Sequence, residues 1–216
     1  MYQPAHFTVE DLTDIQEFVQ VVGTADFVTV DESGQPVSTL MPCVWRNDDT
    51  ANGTLVMHIA RANKQWEHIS NGVRALAIVH GPQAYISPSN YAAKAEHGKV
   101  VPTWNYTSVH LSGTVEISHD TDYLRGIVRE LTDKYETQRN EPWSIDDAPD
   151  VYMNAQLKGI VAVTLTIDRI EAKAKLNQNR SQEDQDGVIS DLSSSPNSED
   201  QLIATLMSTD GNKLIR

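Results

Sequence analysis

Cysteine is almost missing from this 216-residue chain: Cys43 stands alone. One thiol excludes an intramolecular disulfide framework and fits a reducing compartment, and its default role is a small, buried, apolar side chain. Basic residues are also scarce, with 17 Lys and Arg against 30 Asp and Glu, a formal net charge of -13. A surface this acidic repels phosphate backbones and anionic lipids, so direct DNA binding is doubtful and membrane docking is not expected. No apolar run is long enough to span a bilayer. The opening Met-Tyr-Gln-Pro-Ala-His lacks the basic and apolar regions of a secretory signal, so a cytoplasmic location is expected. Glycine-rich GxGxxG and Walker segments are absent, so nucleotide phosphates would need another holder. His58, His68, His80, His97 and His110 show neither HxH nor HExxH spacing, and no metal site is expected. No nucleophile–base arrangement can be read, and catalytic residues stay unassigned.

What is present describes a folded chain. Hydrophobic residues make up 39% and charged residues 22%, which argues against wholesale disorder. Leu12, Ile15, Phe18, Val19 and Val22 repeat on one helical face, after a capping-like Thr8 and Asp11 and before a stop at Gly23. Strands are predicted over 25–30, 37–45 and 54–60, with a hairpin loop at 31–36. Pro42 points to an edge or a bulge. A short helix follows from about Ala62 to Ser70. Strands over 74–79 and 84–87 are predicted to flank a Gly81-Pro82 turn. A long connection, 89–102, leads to a strand over 105–117 and an amphipathic helix over 122–137. A short helix over 151–157 and a strand over 160–167 come next, with 170–174 a further extension. Beyond Arg180 the composition turns to Ser, Asp, Glu, Gln and Asn, where loose helices and a mobile stretch near Ser193-Ser194-Ser195-Pro196 are expected. Short strands, hairpins and a few helices suit a mainly β barrel better than a doubly wound sheet. The domains are expected at 1–180, with a polar helical extension at 181–216.

Three segments carry chemistry-bearing residues. In His58-Ile59-Ala60-Arg61-Ala62-Asn63-Lys64-Gln65-Trp66 a strand runs into a helix start crowded with polar side chains. Small Ala60 and Ala62 permit close approach of a ligand, and the Arg61 fork matches phosphate oxygens. The same residues also suit a helix cap with solvated side chains. In Thr103-Trp104-Asn105-Tyr106, aromatic rings could stack on a planar group while Asn105 bonds its edge, or they could serve a core or an interface. Lys173-Ala174-Lys175-Leu176-Asn177-Gln178-Asn179-Arg180 is a small basic island that could touch a phosphate, a partner or a second subunit, or lie solvated.

Taken together these pieces resemble the PaiB family. The matching stretches are Met1-Tyr2 with Pro4-Ala5-His6-Phe7; His58 to Asn63 with Gln65-Trp66; Gly81-Pro82; Ala84 to Ser89; and Tyr91 and Lys94. Glu96 to Tyr106, Pro142-Trp143, Asp147-Ala148-Pro149, Lys173, Lys175-Leu176 and Gln178-Asn179-Arg180 follow in the same order, so the resemblance covers about residues 1 to 192. Lys64, Leu40, Asn90 and Asn177 depart from the family pattern, which has Pro, His, Trp and Ser there. The resemblance implies an FMN-binding split β-barrel, related to pyridoxamine phosphate oxidases, with FMN at the interface of a homodimer. It implies a negative transcriptional regulator, acting through a regulatory protein partner given the acidic charge. By matching position, Arg61, Asn63, Gln65 and Trp66 would lie near the flavin phosphate and ribityl chain, Thr39 near the ring, and Trp104, Asn105 and Tyr106 would come from the other subunit. A flavin-dependent oxidoreductase is the main rival reading, and a haem-binding split barrel a more distant one.

Overall fold

Alternation of buried and open positions builds the strands of this computed structural model, which describes residues 1–209, 213 and 214. In β2 (Thr24–Val30) Ala25, Phe27 and Thr29 are buried while the residues between them are not. It follows β1 (Thr8–Val9) and helix α1 (Leu12–Val22), and precedes β3 (Pro36–Arg46) and β4 (Thr54–Ala60). Three long strands, β5 (Val73–Ile86), β6 (Thr103–Ser118) and β7 (Ile160–Lys175), complete the sheet. Helices α2 (Ala93–Glu96), α3 (Thr121–Glu136), α4 (Asp150–Leu157), α5 (Gln182–Ser193) and α6 (Ser198–Met207) make up the rest, with short 3-10 turns between. The architecture is mainly β with attached helices, as expected.

Chain contacts separate two units. The barrel unit comprises Gly23–Val79 and Leu111–Ile170; the helix-rich unit comprises Met1–Val22, His80–His110 and Glu171–Arg216. The strand order is β1-β7-β4-β3-β2-β5-β6, and β6 also pairs with β7. In the barrel unit six strands therefore close on one another, which removes their free edges. Gly113 is required at the closure, because a β-carbon there would overlap the Thr166 carbonyl of β7. Arg74 and Asp168 form a two-pronged ion pair in the same unit.

Strand β4 is buried on both faces. Leu55, Met57 and Ile59 alternate with Val56, which packs under α3 with Leu124, Ile127, Leu131, Leu157 and Ala162. Helix α3 begins where the Asp120 carboxylate accepts the Tyr123 amide at 2.7 Å. Burial of each leucine-sized side chain contributes at most about 1.5–3 kcal/mol. Pro42 lies where β3 changes partners. Residues 36–42 pair with β2 and 43–46 with β4, so the missing amide of Pro42 falls at the end of a ladder.

The structure corrects the turn expected at Gly81-Pro82, which lies inside the continuous strand β5. Glycine serves packing there, since a β-carbon at Gly81 would strike the Thr107 hydroxyl and the Phe18 ring. Likewise 160–167 and 170–174 are one strand, and the 89–102 connection contains a 3-10 turn, Pro88–Asn90, and α2. The serine-rich stretch at 193–196 links α5 to α6. No helix among the described residues is long and apolar enough to cross a membrane.

Candidate functional site

In the barrel unit, the chain leaves β4 at Ala60 and enters a 3-10 turn, Lys64–His68. The Arg61 amide donates to the Gly159 carbonyl at 2.8 Å, which pins the exit. The Asn63 carboxamide oxygen accepts the Gln65 amide at 3.0 Å and caps the turn. Gln65 is buried. Its amide nitrogen faces the Phe27 carbonyl at 3.0 Å, the Val37 carbonyl at 3.1 Å and the Thr29 hydroxyl at 3.1 Å. Its oxygen accepts the Thr39 hydroxyl at 2.6 Å, and Thr39 in turn accepts from Asn63 at 2.9 Å. Gln65 thus ties the turn to β2 and β3, and the polar atoms of this network satisfy one another.

Arg61 differs from its neighbours. Nε donates to the Lys158 carbonyl at 2.8 Å and one terminal nitrogen to the Ile160 carbonyl at 3.1 Å. The other terminal nitrogen approaches His119 Nδ1 at 3.4 Å, and the guanidinium carbon stands 5.8 Å from the Trp66 ring centre. Trp66 is held by its indole N–H on the Arg61 carbonyl at 3.0 Å and by an edge contact with His119. These contacts fix the orientation of the Arg61 fork. Among the described residues no carboxylate pairs with it, and its five N–H donors exceed the three contacts they make. Lys64 next to it is exposed and paired with Glu67 at 2.6 Å.

The sequence-predicted residues therefore fall into two groups. Thr39, Arg61, Asn63, Gln65 and Trp66 meet in the barrel unit. Trp104, Asn105 and Tyr106 lie in the helix-rich unit on alternating faces of β6. Trp104 is 47% exposed; its indole donates to Gln83 at 3.0 Å and its ring lies 6.1 Å from the exposed Tyr85 ring. Tyr106 is half-buried, with the Lys173 ammonium 5.2 Å from its ring centre. Asn105 is turned inward and fully buried. Its nitrogen meets the Met207 sulfur at 3.5 Å, and its oxygen has no hydrogen-bond partner among the described residues. Thr107, on the same face, also buries a hydroxyl oxygen without a partner.

Comparison with known proteins identifies this frame. A family model described as "Putative FMN-binding domain" matches residues 1–169. The chain is 33% identical over 207 residues, 96% of each protein, to "Protease synthase and sporulation protein PAI 2" of Bacillus subtilis. The chain belongs to the PaiB family of FMN-binding domains. Solved structures agree on the fold. An FAD- and haem-binding protein of Mycobacterium smegmatis superposes with a TM-score of 0.57 at 20% identity, over 82% of this chain and 77% of that one. A conserved hypothetical protein of Mycobacterium tuberculosis gives a TM-score of 0.57 at 14% identity, over 84% and 95%. The chain thus has the split-barrel fold within an FMN-binding family. FMN carries a phosphate, a polar ribityl chain and a flat ring. The phosphate suits Arg61, which keeps unused donors in a fixed fork, whereas Gln65, Asn63 and Thr39 spend their polar groups on shaping the turn. The basic island at 173–180 lies beyond the residues that the family model matches but inside the match to the Bacillus subtilis relative.

Proposed function

We propose that the chain is an FMN-binding regulatory protein of the PaiB type, working in the cytoplasm as a homodimer. The split-barrel domain is residues 1–180, extended by 181–216. The observation that carries this reading is Arg61, a guanidinium oriented by two backbone carbonyls and paired with no carboxylate among the described residues. Arg61 would take the flavin phosphate. Trp66 would wall the ribityl chain, Asn63, Gln65 and Thr39 would set the shape of the turn, and Trp104 and Tyr106 would come from the twin subunit. When bound, FMN supplies electron and hydride chemistry through its ring. Each unit offers exposed apolar side chains that a twin subunit could cover, Val30 and Leu40 in one and Tyr85 and Trp104 in the other. The Bacillus subtilis relative is named for protease synthesis and sporulation, and control of such genes is the role proposed here. With a net charge of -13, that control passes through a protein partner rather than a direct grip on DNA.

Absorbance of the purified chain with added FMN tests the reading. A bound flavin spectrum in a dimeric protein, lost in Arg61→Ala, is the expected result. A monomer in sedimentation that leaves FMN unbound would refute it.

A further inference from the structure

Several other cations of this acidic chain find carboxylates: Arg46 pairs with Glu130 at 2.8 Å and Arg129 with Asp146 at 2.7 Å. In the helix-rich unit five pair with none among the described residues: Lys94 and Lys99, which are exposed, and Lys173, Lys175 and Arg180, which are not. Lys173 is buried, its ammonium donating to the Tyr2 carbonyl at 3.1 Å and lying 5.2–5.7 Å from the rings of Tyr2, Phe7 and Tyr106. Lys175 is half-buried and donates to the Thr103 hydroxyl and the Trp104 carbonyl, both neutral. Arg180 stacks its guanidinium 4.7 Å from the centre of the Tyr91 ring. Among the described residues its fork meets no hydrogen-bond acceptor.

The backbone is shaped to hold this arrangement. Asn177 takes a positive φ of 64°, a conformation that Asn tolerates better than most residues, and its side chain donates to the Tyr91 hydroxyl at 3.3 Å. The Arg180 amide closes the turn on the Asn177 carbonyl at 2.9 Å. Burial first, and then repulsion from Lys173 and Arg180, hold the Lys175 ammonium below the ordinary lysine range. Three like charges with no paired carboxylate among the described residues, in a protein with acid to spare, are a standing electrostatic cost that an anion would relieve.

We propose that Lys175 and Arg180, with the Thr103 hydroxyl, form a recognition site for a phosphate monoester, and that Lys173 behind them adds positive field. The site stands on contacts in the helix-rich unit and does not depend on the Arg61 reading. The ammonium is a point charge and the guanidinium a planar fork, a pair of donors suited to a tetrahedral dianion. Its phosphate belongs either to a flavin or to a separate phosphorylated ligand.

Titrations of the full chain separate these sources. Wild type, Lys175→Gln and Arg180→Gln are titrated with FMN, riboflavin and inorganic phosphate, with circular dichroism and melting as fold controls. A loss of FMN affinity of roughly tenfold or more with riboflavin unchanged places the flavin phosphate here. Unchanged FMN binding with a similar loss for inorganic phosphate places a separate ligand here. Folded variants that match wild type for all three probes overturn the proposal. Should wild type bind neither flavin, the inorganic phosphate arm decides alone. Should Lys175→Gln not fold, Arg180→Gln decides, since that side chain donates no hydrogen bond within the described residues.

Discussion

The Arg61 turn and the basic island of residues 173–180 are both cationic, yet they are finished differently. Beside Arg61 the side chains of Asn63, Gln65 and Thr39 find partners in one another and in the strands, and Gln65 alone reaches Phe27, Thr29, Val37 and Thr39. Among the described residues the island and the strand beside it leave groups over: the Arg180 fork, the Asn105 oxygen and the Thr107 hydroxyl. A satisfied network builds a rigid frame and resists change, whereas open polar groups tax stability and are worth keeping only if something uses them. The first region is a scaffold that aims one side chain; the second is a surface and interior with unmet demand.

Three measurements would break or sharpen that contrast. The largest effect is expected at the frame. Gln65→Ala leaves two carbonyls and two hydroxyls without their buried partner, and urea unfolding is expected to show a loss of about 2–4 kcal/mol. A loss under about 0.5 kcal/mol would mean the network is not the scaffold. The second has the opposite sign. Thr107→Val removes a buried, unpaired hydroxyl at nearly constant volume, so stability should hold or rise by up to about 1 kcal/mol. A clear loss would show that the hydroxyl has a partner in solution, water included.

The smallest is a pH effect in the barrel unit. Burial lowers the His58 pKa below its ordinary 6.5, so the folded chain holds this imidazole neutral. As pH falls below 6.5 the unfolded chain binds that proton more readily, and stability declines. Replacing His58 with Gln should flatten the fall between pH 7 and pH 5 in matched thermal melts. An identical slope in the variant would assign the acid sensitivity to the carboxylates instead.

Much of the frame was legible in the sequence because it rests on local patterns. The apolar spacing of Ile15, Phe18 and Val19 marks α1, that of Leu124, Ile127 and Leu131 marks α3, and β4 begins and ends where predicted, at Thr54 and Ala60. Gly81-Pro82 misled because a turn dipeptide and a close-packed strand glycine look alike in sequence; only Phe18 and Thr107, distant along the chain, distinguish them. The polar residues around Arg61 stood out, but Gln65 reads as a surface residue, and its burial depends on strands β2 and β3. Asn105 follows from the period of two along β6, which turns it away from Trp104 and Tyr106. The island was visible as a cluster of charge. That no acid among the described residues pairs with it is a property of the folded chain alone.

A phosphate-bearing flavin is the proposed occupant of this split barrel. Parallel titrations of the full chain with FMN and riboflavin, followed by flavin fluorescence, test that most directly. FMN is expected to bind at least roughly tenfold more tightly than riboflavin, with Arg61→Ala erasing the difference. Equal affinities, or an Arg61→Ala variant that keeps the full preference for FMN, would contradict it.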